Sequence, residues 1–299
     1  MFCPIVVIIH FFFVLLFSKW DFFNKFSLCV LEYASLMVHT DFVNDNQRSM
    51  SMITTDLDKL IKLASDNKNI IAIGTEGASN DSTQISDEWT DLDVTLFVRE
   101  PAREDGWWWL QQLGEPTIVQ FIETQDLFGP HSGRWFSWLT RYTGTRRIDF
   151  KMTSVQAEAA YLSNDTLNTI VWRQNKGRVP PRKTNAQSHF IPLPDQDSFQ
   201  EHVREFYWCA GNVVKGLARQ NLVYANEQFN RYVRPELLTL LEMRATMQQN
   251  GRFDAGVTGK FIEPTLSAVE KHNYLQLISK PRCRKLKQVC VKYCNYIAA

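Results

Sequence analysis

Residues Ile70-Ile-Ala-Ile-Gly-Thr-Glu-Gly-Ala-Ser-Asn80 and, after a polar loop, Trp89-Thr-Asp-Leu-Asp-Val-Thr-Leu-Phe-Val98 decide the fold. The first reads as an apolar strand entering a glycine-bearing turn, the second as another apolar strand carrying Asp91 and Asp93. Residues i and i+2 of a strand share a face, so the two carboxylates stand side by side while Leu92 and Val94 turn to the core. Two hard oxygen anions at one strand end suit Mg²⁺, which is usually bound by a few carboxylates plus substrate phosphates. At Gly77-Ala78 the absence of a bulky side chain lets backbone N–H groups approach phosphate oxygens. The stretch predicts a site for a metal-bound nucleoside triphosphate and points to nucleotidyl transfer, with carboxylates clamping an in-line displacement on phosphorus.

A third carboxylate comes from a predicted hairpin, Trp135–Tyr142, Thr143-Gly-Thr145 and Arg146–Met152, which holds Asp149 between Ile148 and Phe150. Its apolar neighbours point to the opposite face, leaving Asp149 on the side of the cleft. Two uses stay open: a third acidic residue of the metal site, or an ion-pair partner for Arg146 or Arg147.

Glu76-Gly-Ala-Ser-Asn80, Asp91-Leu-Asp93, Trp109–Pro116, Arg147-Ile-Asp149, Phe206-Tyr-Trp208 with Val214–Arg219, and Val233–Leu237 stand in an order that resembles the aminoglycoside 6-adenylyltransferases. These form the streptomycin-modifying branch of the polymerase-beta-like nucleotidyltransferases, and the resemblance runs from about Met52 to Leu275. It implies transfer of AMP from ATP to a hydroxyl of a small aminoglycoside acceptor such as streptomycin, with pyrophosphate released and Mg²⁺ required. By position, Asp91 and Asp93 match the family's metal-binding pair and Asp149 its third acid, completing the metal site or acting as general base. Gly77, Ala78 and Ser79 match the family's Gly-Ser-Arg at the triphosphate. The serine lost at Ala78 is worth about 1.5–3 kcal/mol against a charged phosphate, or roughly tenfold to a hundredfold in affinity or rate. That departure makes a weakened or inactive nucleotide-binding relative, or an enzyme for another small acceptor, the alternative.

The implied architecture is α+β: a mixed-sheet nucleotidyltransferase domain over residues 52–173, a linker at 174–197, and a C-terminal helical bundle domain at 198–280. In the last, Phe199, Val203, Phe206, Ala210, Val213 and Leu217 recur at helical steps. Lys215 and Arg219, four apart on one face, are a solvated pair on periodicity alone and, with the resemblance, candidates for neutralising the triphosphate. Further helices are expected over about Leu222 to Tyr232 and Pro235 to Gln249, the latter stopped at Asn250-Gly251. Pro180-Pro181, Pro192 and Pro194 mark the linker. Upstream, Thr55–Asp58 reads as a capping box opening a helix with Leu57, Leu60, Ile61 and Ala64 on one face, to pack on the first strand. Trp109, Leu110 and Leu113 are assigned to the core, with Trp107 and Trp108 partly exposed.

The chain has 299 residues, 44% hydrophobic and 22% charged, with formal net charge +1. That length suffices for two cores. Near-neutral charge lacks the basic footprint of a nucleic-acid partner. The apolar run Phe2–Phe17 is short of the roughly 30 Å hydrocarbon core at ~1.5 Å per residue, and its first basic residue, Lys19, follows it. Residues 1–50 are therefore expected to be a hydrophobic leader outside a fold that starts near Met50 or Met52, with no stable membrane partner and a cytoplasmic location; the alternative is a signal-anchor helix extended through Trp20 to Val30. Residues 281–299, with Cys283, Cys290 and Cys294, are expected to form a basic tail that departs from the family. Scattered cysteines imply no disulfide framework.

Overall fold

The computed structural model describes residues 46–84 and 86–279; the expectations for the tail and for the leader up to residue 45 lie outside them, whereas residues 46–50, assigned to the leader, open the first helix. Helix α1 (Asn46–Asp66) leads into β1 (Ile70–Thr75), with Leu60 and Ala64 packed in one core with Ile70. The predicted start at Thr55 is too late, because no glycine or proline between Asn46 and Thr55 stops the helix from beginning earlier. Asp56, inside the expected capping box, instead pairs with Arg146 at 2.6 Å.

Beyond the turn Gly77–Asn80 lie β2 (Leu92–Val98), α2 (Gly106–Leu113), β3 (Ile118–Gln125), β4 (Arg134–Arg141) and β5 (Arg147–Ser154). Next come α3 (Glu158–Asn164), β6 (Thr169–Arg173) and a short β7 (Gly177–Arg178) inside the stretch read as linker. All seven strands join one mixed sheet in the order β3-β4-β5-β2-β1-β6-β7, with β2 and β5 parallel and every other pairing antiparallel. β4 and β5 form the expected hairpin, with Arg141 opposite Arg147.

Strand alternation sorts the sheet's two faces. Leu92, Val94 and Leu96 with Ile148, Phe150 and Met152 bury one face against α1 and α2, where Trp109, Leu110 and Leu113 are all buried. Trp109 alone contributes roughly 3–5 kcal/mol on the scale of large-to-alanine core substitutions. Asp105 caps α2 by accepting from the N–H groups of Trp107 and Trp108, whose side chains stay nearly half exposed. On the other face Ala72, Phe97 and Trp135 pack with Tyr161 of α3. This second face turns polar toward the N-terminal ends of β2 and β5, at Thr95, Asp93, Lys151 and Asp149.

The chain forms two compact units, which part between Lys183 and Thr184; Asn164–Leu167 belongs with the second. The second unit holds α4 (Gln196–Ala218), α5 (Leu222–Gln228), a π-turn (Phe229–Val233), α6 (Arg234–Gln248) and α7 (Ala268–Ser279). Asp195 caps α4 by accepting from Ser198 N–H at 2.7 Å, one turn before Phe199, the first of the periodic apolar positions. Phe206, Ala210 and Val213 are buried as the periodicity requires, with Phe199, Val203 and Leu217 packed around them. The two helices expected after Leu222 are one continuous run, because the π-turn carries the backbone through to Pro235 in the first turn of α6. Asn250 and Gly251, both at positive φ, end it, with Gly251 N–H donating to Thr246 C=O at 2.9 Å. Among the described residues no helix is long and apolar enough to cross a membrane.

Candidate active site

Sheet pairing brings together residues separated by more than fifty positions. In the parallel β2/β5 pair, Asp93 stands opposite Asp149 and Thr95 opposite Lys151. Asp91 immediately precedes β2, and Arg147 opens β5. The Arg147 guanidinium lies 2.8 Å from Asp91 and 2.7 Å from Asp149. Of the two partners considered for Asp149, Arg147 is the one it has; Arg146 belongs to Asp56.

The glycine turn joins this group through the backbone. Glu76 N–H donates to Asp93 C=O at 3.2 Å, so the residue leaving β1 is hydrogen-bonded to the strand that carries the carboxylates. Gly77 has φ +68, and a Cβ there would lie 2.8 Å from Asp93 Oδ2. Both facts demand glycine: positive φ is strained for other residues, and the carboxylate fills the space. Ala78 and Ser79 lie exposed on the following 3₁₀ turn, with Ser79 Oγ donating to Glu76 C=O at 3.1 Å. Tyr161 Oη donates to Thr75 C=O at 2.9 Å and holds the end of β1 against α3.

Glu76 and Lys151, to which the spacing argument gives no role, complete the cluster with Arg147. Glu76 is only 4% exposed, and its carboxylate accepts from the buried Thr95 hydroxyl and pairs with Lys151 Nζ at 3.0 Å. Lys151 also lies 3.3 Å from Asp93 Oδ1, and Arg147 bridges the other two acids. The sequence held a signal for both cations: Arg147, Asp149 and Lys151 alternate along one strand, as do Asp91, Asp93 and Thr95.

Burial raises the pKa of Glu76, Asp91 and Asp149 above ordinary carboxylate values, and neighbouring carboxylates add to it. Lys151 opposes that rise at Glu76, and Arg147 opposes it at Asp91 and Asp149. Burial alone would lower the Lys151 pKa, but Glu76 and Asp93 outweigh it and hold the ammonium charged.

Four carboxylates against two cations leave two negative charges in excess when all are ionised. Among the described residues no three such side chains converge into a cage made of protein alone. The all-oxygen donor set and its charge fit a hard divalent ion of the Mg²⁺ kind, which takes one or two carboxylates and completes its shell with phosphates and water. Lys215, in the last turn of α4, and Arg219, its C-cap, are exposed and belong to the second unit; Lys215 Nζ lies 5.9 Å from the Tyr224 ring centroid.

A family model described as streptomycin adenylyltransferase matches residues 50–298. The chain belongs to the streptomycin adenylyltransferase family. The match reaches residue 298, so it takes in the tail that was set apart as a departure from the family. A Campylobacter jejuni protein named aminoglycoside 6-adenylyltransferase is 29% identical over 210 residues, covering 69% of this chain and 72% of its own. The Bacillus subtilis (strain 168) protein of the same name is 26% identical over 216 residues, covering 72% and 76%. One from Staphylococcus aureus is 23% identical over 236 residues, covering 78% and 83%. A crystal structure of an aminoglycoside 6-adenyltransferase from Bacillus subtilis overlaps 85% of this chain and 90% of its own at 23% identity, with a TM-score of 0.33.

Proposed function

We propose that this chain transfers AMP from ATP to a hydroxyl of an aminoglycoside such as streptomycin, releasing pyrophosphate. The observation that carries the proposal is the apposition of Asp93 and Asp149 across a parallel strand pair, with the Gly77 turn against Asp93. The names of the relatives support the same acceptor class. In this reading residues 52–173 form the nucleotidyltransferase catalytic domain, residues 174–197 the connection, and residues 198–280 a helical bundle domain.

Asp91 and Asp93 would hold Mg²⁺, with Asp149 as third ligand or general base. Bound there, the ion would neutralise triphosphate oxygens and stabilise charge on the leaving pyrophosphate. Gly77 keeps the turn low enough for Ala78 and Ser79 backbone N–H groups to meet the phosphates. Asp149, with its raised proton affinity, suits a group that takes a proton from the acceptor hydroxyl, and Arg147 orients it. Lys215 and Arg219 would serve as counter-charges for the triphosphate.

Mass spectrometry after incubating the full chain with ATP, Mg²⁺ and a streptomycin-led aminoglycoside panel tests the reading. A mass increase of one AMP on an acceptor, absent with Asp93→Asn, is the expected result. Folded, ATP-binding protein that yields no adduct with any member of the panel would refute it.

A further inference from the structure

We propose that Lys151, anchored by Glu76, is a positioning residue that fixes the Asp93 carboxylate and competes with the divalent ion for it. The inference rests on the adenylyl-transfer reading for its kinetic consequence, but not for its metal-binding one.

The geometry divides the two oxygens of Asp93. Oδ1 faces Lys151 Nζ at 3.3 Å, while Oδ2 lies over Gly77, 2.8 Å from where a Cβ would stand. With Oδ1 held by the ammonium and the space beside Oδ2 kept open by a glycine, the orientation of the carboxylate is set before any ligand arrives. Lys151 is itself held: its side chain is 11% exposed, and Nζ sits 3.0 Å from a Glu76 carboxylate that is 5% exposed and also accepts from Thr95. An ammonium on a long flexible stem gains a defined place only from such partners. Glu76 thus determines where Lys151 points, and Lys151 determines how Asp93 points. The same ammonium repels a second cation at Oδ1, since like charges a few ångströms apart inside a protein interact strongly. Glu76 draws it back and leaves Asp93 open enough to take the ion.

This arrangement makes two variants move in opposite directions. Glu76→Gln keeps the side chain's shape and its capacity to accept from Thr95, but it removes the charge that shares Lys151, so the ammonium leans on Asp93 and the ion binds less well. Glu76→Gln combined with Lys151→Met removes both buried charges together, frees Asp93 of its competitor and strengthens ion binding while Asp93 loses its fixed orientation. Mn²⁺ serves as probe, because it takes the same hard oxygen ligands and its free-ion paramagnetic resonance signal reports binding directly.

Titrated with Mn²⁺, the single variant of the full chain is expected to bind about fivefold more weakly and the double variant about fivefold more tightly than wild type. Both are expected to lose tenfold or more in kcat, with KM for ATP within about threefold, as for a lost transition-state interaction. A role confined to fold stability would weaken Mn²⁺ binding in both variants, and that pattern overturns the proposal. So does unchanged affinity in either folded variant, kcat within threefold of wild type in an active protein, or a wild type that binds no Mn²⁺. If the double variant does not fold, the single one decides: weaker Mn²⁺ binding at an unchanged melting temperature supports the proposal, and unchanged binding defeats it. Should wild type form no AMP adduct while the opposite shifts in Mn²⁺ affinity are present, the transfer reading falls and the role of Lys151 at the ion site stands.

Discussion

Gly77 is the residue whose replacement most directly tests how the turn and the carboxylates depend on each other. Gly77→Ala forces a side chain into φ +68, costing roughly 1–2 kcal/mol, and brings Cβ within 2.8 Å of Asp93 Oδ2. The folded variant should lose at least tenfold in kcat beyond any loss of melting temperature, measured by steady-state kinetics beside thermal unfolding. Asp149 carries a second prediction, in its pH dependence. Its folded pKa is raised above 3.8 by burial first and by Asp93 second, against the pull of Arg147. The folded state therefore keeps this proton where the unfolded chain has lost it, and the group's contribution to stability, present below 3.8, is lost as pH rises through the raised value. Asp149→Asn should consequently lose less unfolding free energy than wild type as pH rises from 3.8 through the raised value in denaturant titrations. An equal loss in both proteins would contradict the proton affinity assigned to the site.

Elements, rather than single residues, explain what could be read from the sequence and what could not. The strand that carries Asp93, with Asp91 just before it, was legible because alternation writes burial directly: Leu92 and Val94 are buried, and Asp93 falls on the other face. The hairpin holding Asp149 was legible for the same reason, and α4 through its helical period. The parallel pairing of β2 with β5 was not, since nothing local specifies which strand lies beside which, and only that pairing brings Arg147 to Asp91 and Lys151 to Asp93. The edge strand β3 escaped notice because Ile118 and Phe121 are exposed, which breaks the alternation that identifies a half-buried strand. Helix α3 was also unread, although it holds the end of β1 just before the glycine turn: Gly74 leaves room for Tyr161, whose hydroxyl would lie 2.6 Å from a Cβ there. Tyr161→Phe removes the donor to Thr75 C=O and should cost about 1 kcal/mol, or roughly 2–4 °C in melting temperature. A larger proportional loss in kcat than in stability would show that β1 is held in place for the site and not only for the core.

At the scale of the whole molecule, the described residues build two units with separate buried clusters, one unit packed on both faces of its sheet, around Trp109 and Phe150 and around Trp135 and Tyr161, the other packed around Phe206 and Leu241. Family membership covers both, because the matched residues run from 50 to 298. The carboxylate cluster belongs wholly to the first unit, and the basic pair Lys215 and Arg219 wholly to the second. If the second unit supplies charge to the nucleotide, losing it should be felt in substrate binding and not in folding, since both side chains are exposed. Arg219→Ala is therefore expected to leave the melting temperature unchanged and to raise KM for ATP roughly tenfold, the equivalent of about 1.4 kcal/mol and below the usual range for a charge-assisted hydrogen bond to phosphate. Lys215→Ala should act in the same direction, and the double variant should fall short of the product of the two, because neighbouring cations on one polyanion do not act independently. Unchanged KM in both single variants would restrict the nucleotide site to the first unit and return these two residues to the solvated helix end that periodicity alone describes.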